Sequence, residues 1–153
     1  MSDAIRTLWQ GARLNIQESA AQIPEEDYGF RPTAEVRTFG QMLAHIAGAN
    51  YVSCAAARGE RSPHAEDEFE RTATTKAAIV EALERSLAYC DAAYDTLTDA
   101  TAVELVPLPF GAGQGIRALP LMSNTMHLNG HYGNLVTYFR VRGRVPPSTR
   151  RQQ

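Results

Sequence analysis

Four stretches of about twenty residues each repeat their apolar side chains at steps of three and four, and outside one short segment no alternating strand pattern occurs. Helices of that length must bury their apolar stripes against one another. In a chain of 153 residues, long enough for one domain over residues 1–153, the pattern predicts an all-α four-helix bundle.

The first stretch, about residues 3–22, sets Ile5, Leu8, Trp9, Ala12 and Ile16 on one stripe, and Pro24 follows as a stop. A linker over 24–37 contains Phe30-Arg31-Pro32, in which proline disfavours helix for the residue before it. Thr38-Phe39-Gly40-Gln41 then has the form of a capping box, so a second helix is expected from about 39 to 58. Residues 59–71 are rich in charge, glycine and proline and predict a surface loop. Ile79, Leu83, Leu87, Cys90 and Tyr94 mark a third helix over about 75–97. Residues 103–117, with Val106-Pro107-Leu108-Pro109-Phe110 and a glycine-rich continuation, suit a long loop or short hairpin. The last helix is expected from Pro120 to about Gly143, closed by Pro146 and Pro147.

A formal charge of -2 leaves no overall field to draw nucleic acid or an anionic membrane. The first eleven residues carry no basic-then-apolar leader, and no run approaches the ~18 apolar residues of a membrane span, so a cytoplasmic protein is expected. Cys54 and Cys90 lie far apart within helical segments, which suits reduced thiols acting as small apolar filler. The partner must be sought at a local site.

The best candidate is His127 and His131. One helical turn apart, their imidazoles leave the same face close enough to serve one metal ion. On a helical projection they share a narrow polar stripe with Asn124, Asn134 and Tyr138 that carries no charge, so it suits a cleft or the bundle interior better than a solvent face. His45, amid Met42, Leu43, Ile46 and Ala49 on the second helix, is the candidate third ligand, with Gln41 one turn before it. Three neutral histidines would bind zinc, nickel, copper or ferrous iron and leave a position for water or substrate. A hydrogen-bonded histidine network without metal is the alternative.

Other motifs carry less. His64 sits in an acidic loop segment, Ser62-Pro63-His64-Ala65-Glu66-Asp67, and is set aside as a ligand. Gly111-Ala112-Gly113-Gln114-Gly115 opens no strand-turn-helix unit, and there is no Gly-x-Ser-x-Gly elbow. Cys54 falls on the opposite side of its helix from His45, which counts against a cysteine-histidine pair. The arginines between 140 and 151 suit the carboxyl end of a helix.

Three segments together resemble the DinB-like superfamily of damage-inducible, metal-binding four-helix bundles. They are Ile23-Pro24-Glu25-Glu26-Asp27-Tyr28-Gly29-Phe30-Arg31-Pro32, then Val36-Arg37-Thr38-Phe39-Gly40-Gln41 with Leu43-Ala44-His45-Ile46, and His127-Leu128-Asn129-Gly130-His131-Tyr132-Gly133-Asn134-Leu135 with Tyr138-Phe139-Arg140 and Gly143-Arg144-Val145-Pro146-Pro147-Ser148. The resemblance spans nearly the whole chain. It implies a single DinB-like domain in an up-down-down-up bundle, often a homodimer, with a divalent metal on His45, His127 and His131. Zinc or nickel is the foremost choice and iron is admissible. Gln41, Asn124, Asn134 and Tyr138 would orient the incoming ligand, although many relatives carry glutamine where this chain has Asn134. Characterised members include thiol-dependent S-transferases and a mycothiol-dependent maleylpyruvate isomerase. The resemblance therefore implies a metal-dependent enzyme using a low-molecular-weight thiol, a thiol-dependent S-transferase or a hydrolase. Its alternative is a non-catalytic, stress-related bundle in which the metal is structural.

Overall fold

The computed structural model describes residues 1–153 and is built on four long helices. Helix α1 (Ser2–Gln22) buries Ile5, Trp9, Ala12, Ile16 and Ala20 and ends where Ile23 turns extended before Pro24. Leu8, expected on that stripe, is 63% exposed. At 100° per residue it falls beyond the edge of the Ile5–Trp9–Ile16 arc, on the opposite side from Arg6, Arg13 and Gln17. Those three residues reach across to Asp95, Asp91 and Glu84.

Helix α2 (Phe39–Arg58) begins at the expected capping box, with Thr38 and Gln41 each accepting the other's backbone N–H. It ends at Gly59, whose φ of 72° closes the last turn. Fifteen of its twenty residues are buried, so it is the central helix, covered on its outer side as well as its inner one. The cover is segment 59–75. The charged composition predicts a plain surface loop over 59–71, yet the segment contains a helical turn, α3 (Glu68–Thr72), and lies against α2. The approach is closest at Gly48, where a Cβ would stand 1.9 Å from the Glu66 carbonyl oxygen. Only glycine admits it.

Helix α4 (Lys76–Asp95) is capped by the Thr75 hydroxyl, and the short α5 (Asp99–Ala102) by a Thr98–Thr101 box. The glycine-rich stretch forms a hairpin of β1 (Leu105–Pro107) and β2 (Gln114–Ile116), antiparallel with Val106 opposite Gly115. Helix α6 (Ala118–Val141) carries Pro120 in its first turn, and α7 (Pro147–Arg150) starts on the second residue of the double proline, with Pro146 as its cap.

Contacts along their lengths give the helix directions. Gly40 meets Ile79, Asn50 bonds Ser86 and Cys54 joins Cys90, so α2 and α4 run parallel, which segment 59–75 permits by crossing back over the bundle. Arg6 meets Asp95 while Lys76 reaches the Ile23 carbonyl, so α1 runs against α4. Tyr138 reaches Arg37 while Asn124 bonds Asn50, so α6 runs against α2. Between them lies one apolar core, including Trp9 stacked on Tyr94 with ring centroids 4.4 Å apart.

Cys54 and Cys90 are not the separate thiols that their spacing suggests. They form a disulfide between α2 and α4, with Cα atoms 5.3 Å apart. The parallel register of the two helices brings them opposite each other, a relation that a separation of 36 residues conceals. No helix is long and apolar enough to cross a membrane.

Candidate metal centre

Because α2 and α6 run antiparallel side by side, His45 near the middle of α2 faces the His127–His131 turn of α6. The three Nε2 atoms converge. His127 Nε2 lies 3.1 Å from that of His45 and 2.9 Å from that of His131, and the three donor atoms all fall within 4.8 Å of one another. His45 is buried, and the other two are half-buried.

Burial pushes the His127 and His131 imidazoles down to about 4, with the neighbouring histidines and the Arg37 charge acting in the same direction. His45 is lowered as well, by burial first and Arg37 second, against the opposing pull of Glu70 and Glu66. All three are therefore neutral at pH 7, and each offers one ring nitrogen lone pair. His45 Nδ1 faces Glu70 Oε1 at 3.2 Å. A carboxylate only accepts, so this contact favours the tautomer with the proton on Nδ1 and the bare Nε2 toward the cluster.

Such a cluster is unsatisfied by itself. With His45 Nε2 carrying no hydrogen, a single N–H on His127 Nε2 would have to serve both short contacts, and an imidazole nitrogen cannot donate well in two directions. A cation accepting the lone pairs removes the conflict. Two nitrogens held at 2.0–2.1 Å by one tetrahedral ion stand about 3.4 Å apart, a few tenths of an ångström from the separations observed. The donor set suits a borderline transition metal and contributes no negative charge to cancel the ion's own.

The other residues singled out in the sequence divide among different surroundings. Asn134 Nδ2 is 3.4 Å from His131 Nδ1, at the cluster's rim. The Tyr138 hydroxyl donates to the Arg37 carbonyl at 2.5 Å rather than to a histidine. Asn124 is fully buried in the centre of the bundle, where its Nδ2 donates to Asn50 Oδ1 and lies 3.8 Å from each disulfide sulfur. Gln41 spends its side-chain oxygen on the Thr38 amide and, with Glu70 and Lys76, lines a cleft of about 360 Å³. His64 stands apart, its ring 4.5 Å from that of Tyr51 and its Nδ1 on Glu68.

Two residues of the site escape a reading of the sequence alone as ligands or supports. Glu70 lies 25 positions from His45 in an acidic stretch whose composition signals only solvent, and Phe69 beside it is the one apolar hint of an anchored turn. Arg37 falls within a segment of family likeness without an assigned role. It grips Glu70 through Nε at 2.8 Å and Nη2 at 3.3 Å.

Solved structures share this fold. A DinB-like protein from Bacillus cereus superposes with a TM-score of 0.78 at 17% identity, covering 95% of either chain. Another from Bacillus subtilis gives 0.71 at 17% identity over 93% of this chain and 94% of its own. A mycothiol-dependent maleylpyruvate isomerase gives 0.72 at 18% identity over 88% of this chain, which spans 60% of the isomerase's length. No curated protein matches in sequence. Residues 8–135 match the DinB superfamily, and the chain belongs to that superfamily.

Proposed function

We propose that His45, His127 and His131 hold a divalent transition metal, zinc or nickel foremost with iron admissible, at the centre of a metal-dependent enzyme that acts with a low-molecular-weight thiol. The observation that carries this reading is the convergence of three neutral imidazoles on one point, with their lone pairs unsatisfied by one another. A metal bound there supplies Lewis acidity that favours the thiolate or hydroxide form of a ligand at its open position. The chain's own residues hold the imidazoles neutral through burial, orient His45 through Glu70, and place the Arg37 charge beside the cluster. Asn134 is the polar group at the rim suited to meet an incoming small molecule. Tyr138 acts through Arg37, Asn124 ties α6 to α2 through Asn50, and Gln41 holds the start of α2 through Thr38. The structural likeness to a thiol-dependent isomerase supports the thiol as the co-substrate.

Elemental analysis of protein purified without added metal tests the site. Near-stoichiometric metal in the wild type and its loss in His127→Ala are expected, and the absence of metal from the wild type overturns the reading. Titrating thiols into cobalt-loaded protein separates enzyme from scaffold. A thiolate-to-cobalt absorption band supports the open position, whereas a metal that raises the melting temperature yet accepts no thiol points to a structural ion in a non-catalytic bundle. Leu8 of α1 and Met122 and Met126 of α6 are exposed on adjacent helices, and with the family likeness they support a homodimer, which light scattering of the eluting peak would reveal.

A further inference from the structure

We infer that Glu70 is a positioning residue that fixes the tautomer and direction of His45 and thereby sets how tightly the tri-histidine site binds its ion. The inference rests on the proposed metal site. Its observations are independent of any ion.

Glu70 is delivered by the crossover. The chain passes over α2 with the Glu66 carbonyl seated at Gly48, one turn beyond His45, and α3 then brings Glu70 Oε1 to 3.2 Å from His45 Nδ1. The carboxylate is clamped from its other side. Arg37 donates to Oε2 through Nε and to Oε1 through Nη2, and the Arg37 backbone is itself held by the Tyr138 hydroxyl from α6. A bidentate guanidinium leaves the carboxylate few alternative orientations. Support therefore runs from α6 through Tyr138, Arg37 and Glu70 to His45 on α2.

The three imidazoles differ in this respect. His127 Nδ1 is buried without a partner, and His131 Nδ1 meets only the Asn134 amide at the rim. His45 alone has an anion behind it. An acceptor on Nδ1 keeps the proton there, leaves Nε2 bare toward the cluster and raises its basicity as a donor, which in histidine–metal sites is commonly worth 10–100-fold in affinity.

The test uses metal-stripped full-length wild type, Glu70→Ala, Glu70→Asp and Arg37→Ala, titrated with cobalt(II) against a competing chelator. Nitrogen NMR of the same metal-free samples reads the His45 tautomer. The wild type is expected to carry the Nδ1 proton. Glu70→Ala is expected to lose that preference and to bind cobalt about 10–100-fold more weakly. Glu70→Asp should recover part of both, and Arg37→Ala, which loosens the carboxylate without removing it, should lose less than Glu70→Ala. Wild-type affinity and an unchanged tautomer in Glu70→Ala overturn the inference. So does a wild-type His45 protonated on Nε2. If the wild type takes up no cobalt at all, the metal reading fails separately, and the tautomer measurement still decides the role of Glu70.

Discussion

Alanine at Gly48 would place its methyl carbon 1.9 Å from the Glu66 carbonyl oxygen and 2.6 Å from the carbonyl carbon. Both are backbone atoms, so no side-chain rotation relieves the clash. Ordinary contact begins at 3.4 Å, so the crossover must retreat by about 1.5 Å or α2 must shift by as much. Two effects of opposite sign compete. Replacing a mid-helix glycine stabilises by up to about 1 kcal/mol through backbone entropy, and overpacking a fitted contact costs about 1–3 kcal/mol. Against rigid backbone the upper part of that range applies, and a net loss of about 1–2 kcal/mol is expected, which lowers the melting temperature by about 2–4 °C per kcal/mol. The same retreat reaches the site. The Glu70–His45 contact of 3.2 Å would lengthen with it and weaken the pull of the carboxylate on the imidazole, so cobalt affinity should fall along with stability. Urea denaturation of Gly48→Ala is compared with Gly11→Ala and Gly133→Ala, two helical glycines whose added Cβ meets nothing within 4 Å. Those controls should be neutral or gain up to about 1 kcal/mol. If Gly48→Ala is stabilised as they are, the crossover is not seated on α2 as described.

The metal-free protein should lose stability as the pH falls from about 6.5 toward about 4. His127 and His131 are held near 4 in the fold against about 6.5 unfolded, so in that window the unfolded chain binds more protons and stability rises with pH. Urea midpoints across the window test it, and midpoints that rise on acidification would refute it. The Cys54–Cys90 disulfide closes a loop with a sequence separation of 36, and chain-entropy reasoning assigns it about 3–4 kcal/mol. The double variant Cys54→Ala with Cys90→Ala should lose about that much by urea denaturation, and a loss below about 1 kcal/mol would show that the unfolded state is not what the bridge restrains.

Local signals in the sequence locate the helices because each is a short-range physical matter. The Thr38–Gln41 box starts α2 by bonds between residues three apart, and Pro24 stops α1 because the chain leaves it extended. What escapes depends on relations between elements. Whether Cys54 meets Cys90 turns on α2 and α4 being parallel and in one register, which neither helix encodes alone. Segment 59–75 is charged, as a surface loop would be, and yet it covers α2. Gly48 is the residue whose type reflects that cover, but a glycine inside a helix equally suits a kink, a close helix–helix crossing or a frayed end, so its presence does not name the neighbour.

The polar stripe of α6 shows why a helical face is an incomplete guide to a site. Asn124 and Tyr138 share an azimuth with the histidines, but fourteen residues of helix span about 21 Å, and over that length the face passes three different neighbours. At the α2 carboxyl half it meets Asn50 and the disulfide, in the middle His45, and at the α2 amino end Arg37. Antiparallel packing thus assigns one stripe three tasks. Periodicity could find the stripe, and it could not divide it, since the division is made by α2. The same geometry explains the place of Glu70. Only the middle neighbour, His45, presents a second nitrogen toward the outer side of α2, and that side is covered by the crossover. A carboxylate arriving there reaches the cluster through His45 and through neither histidine of α6.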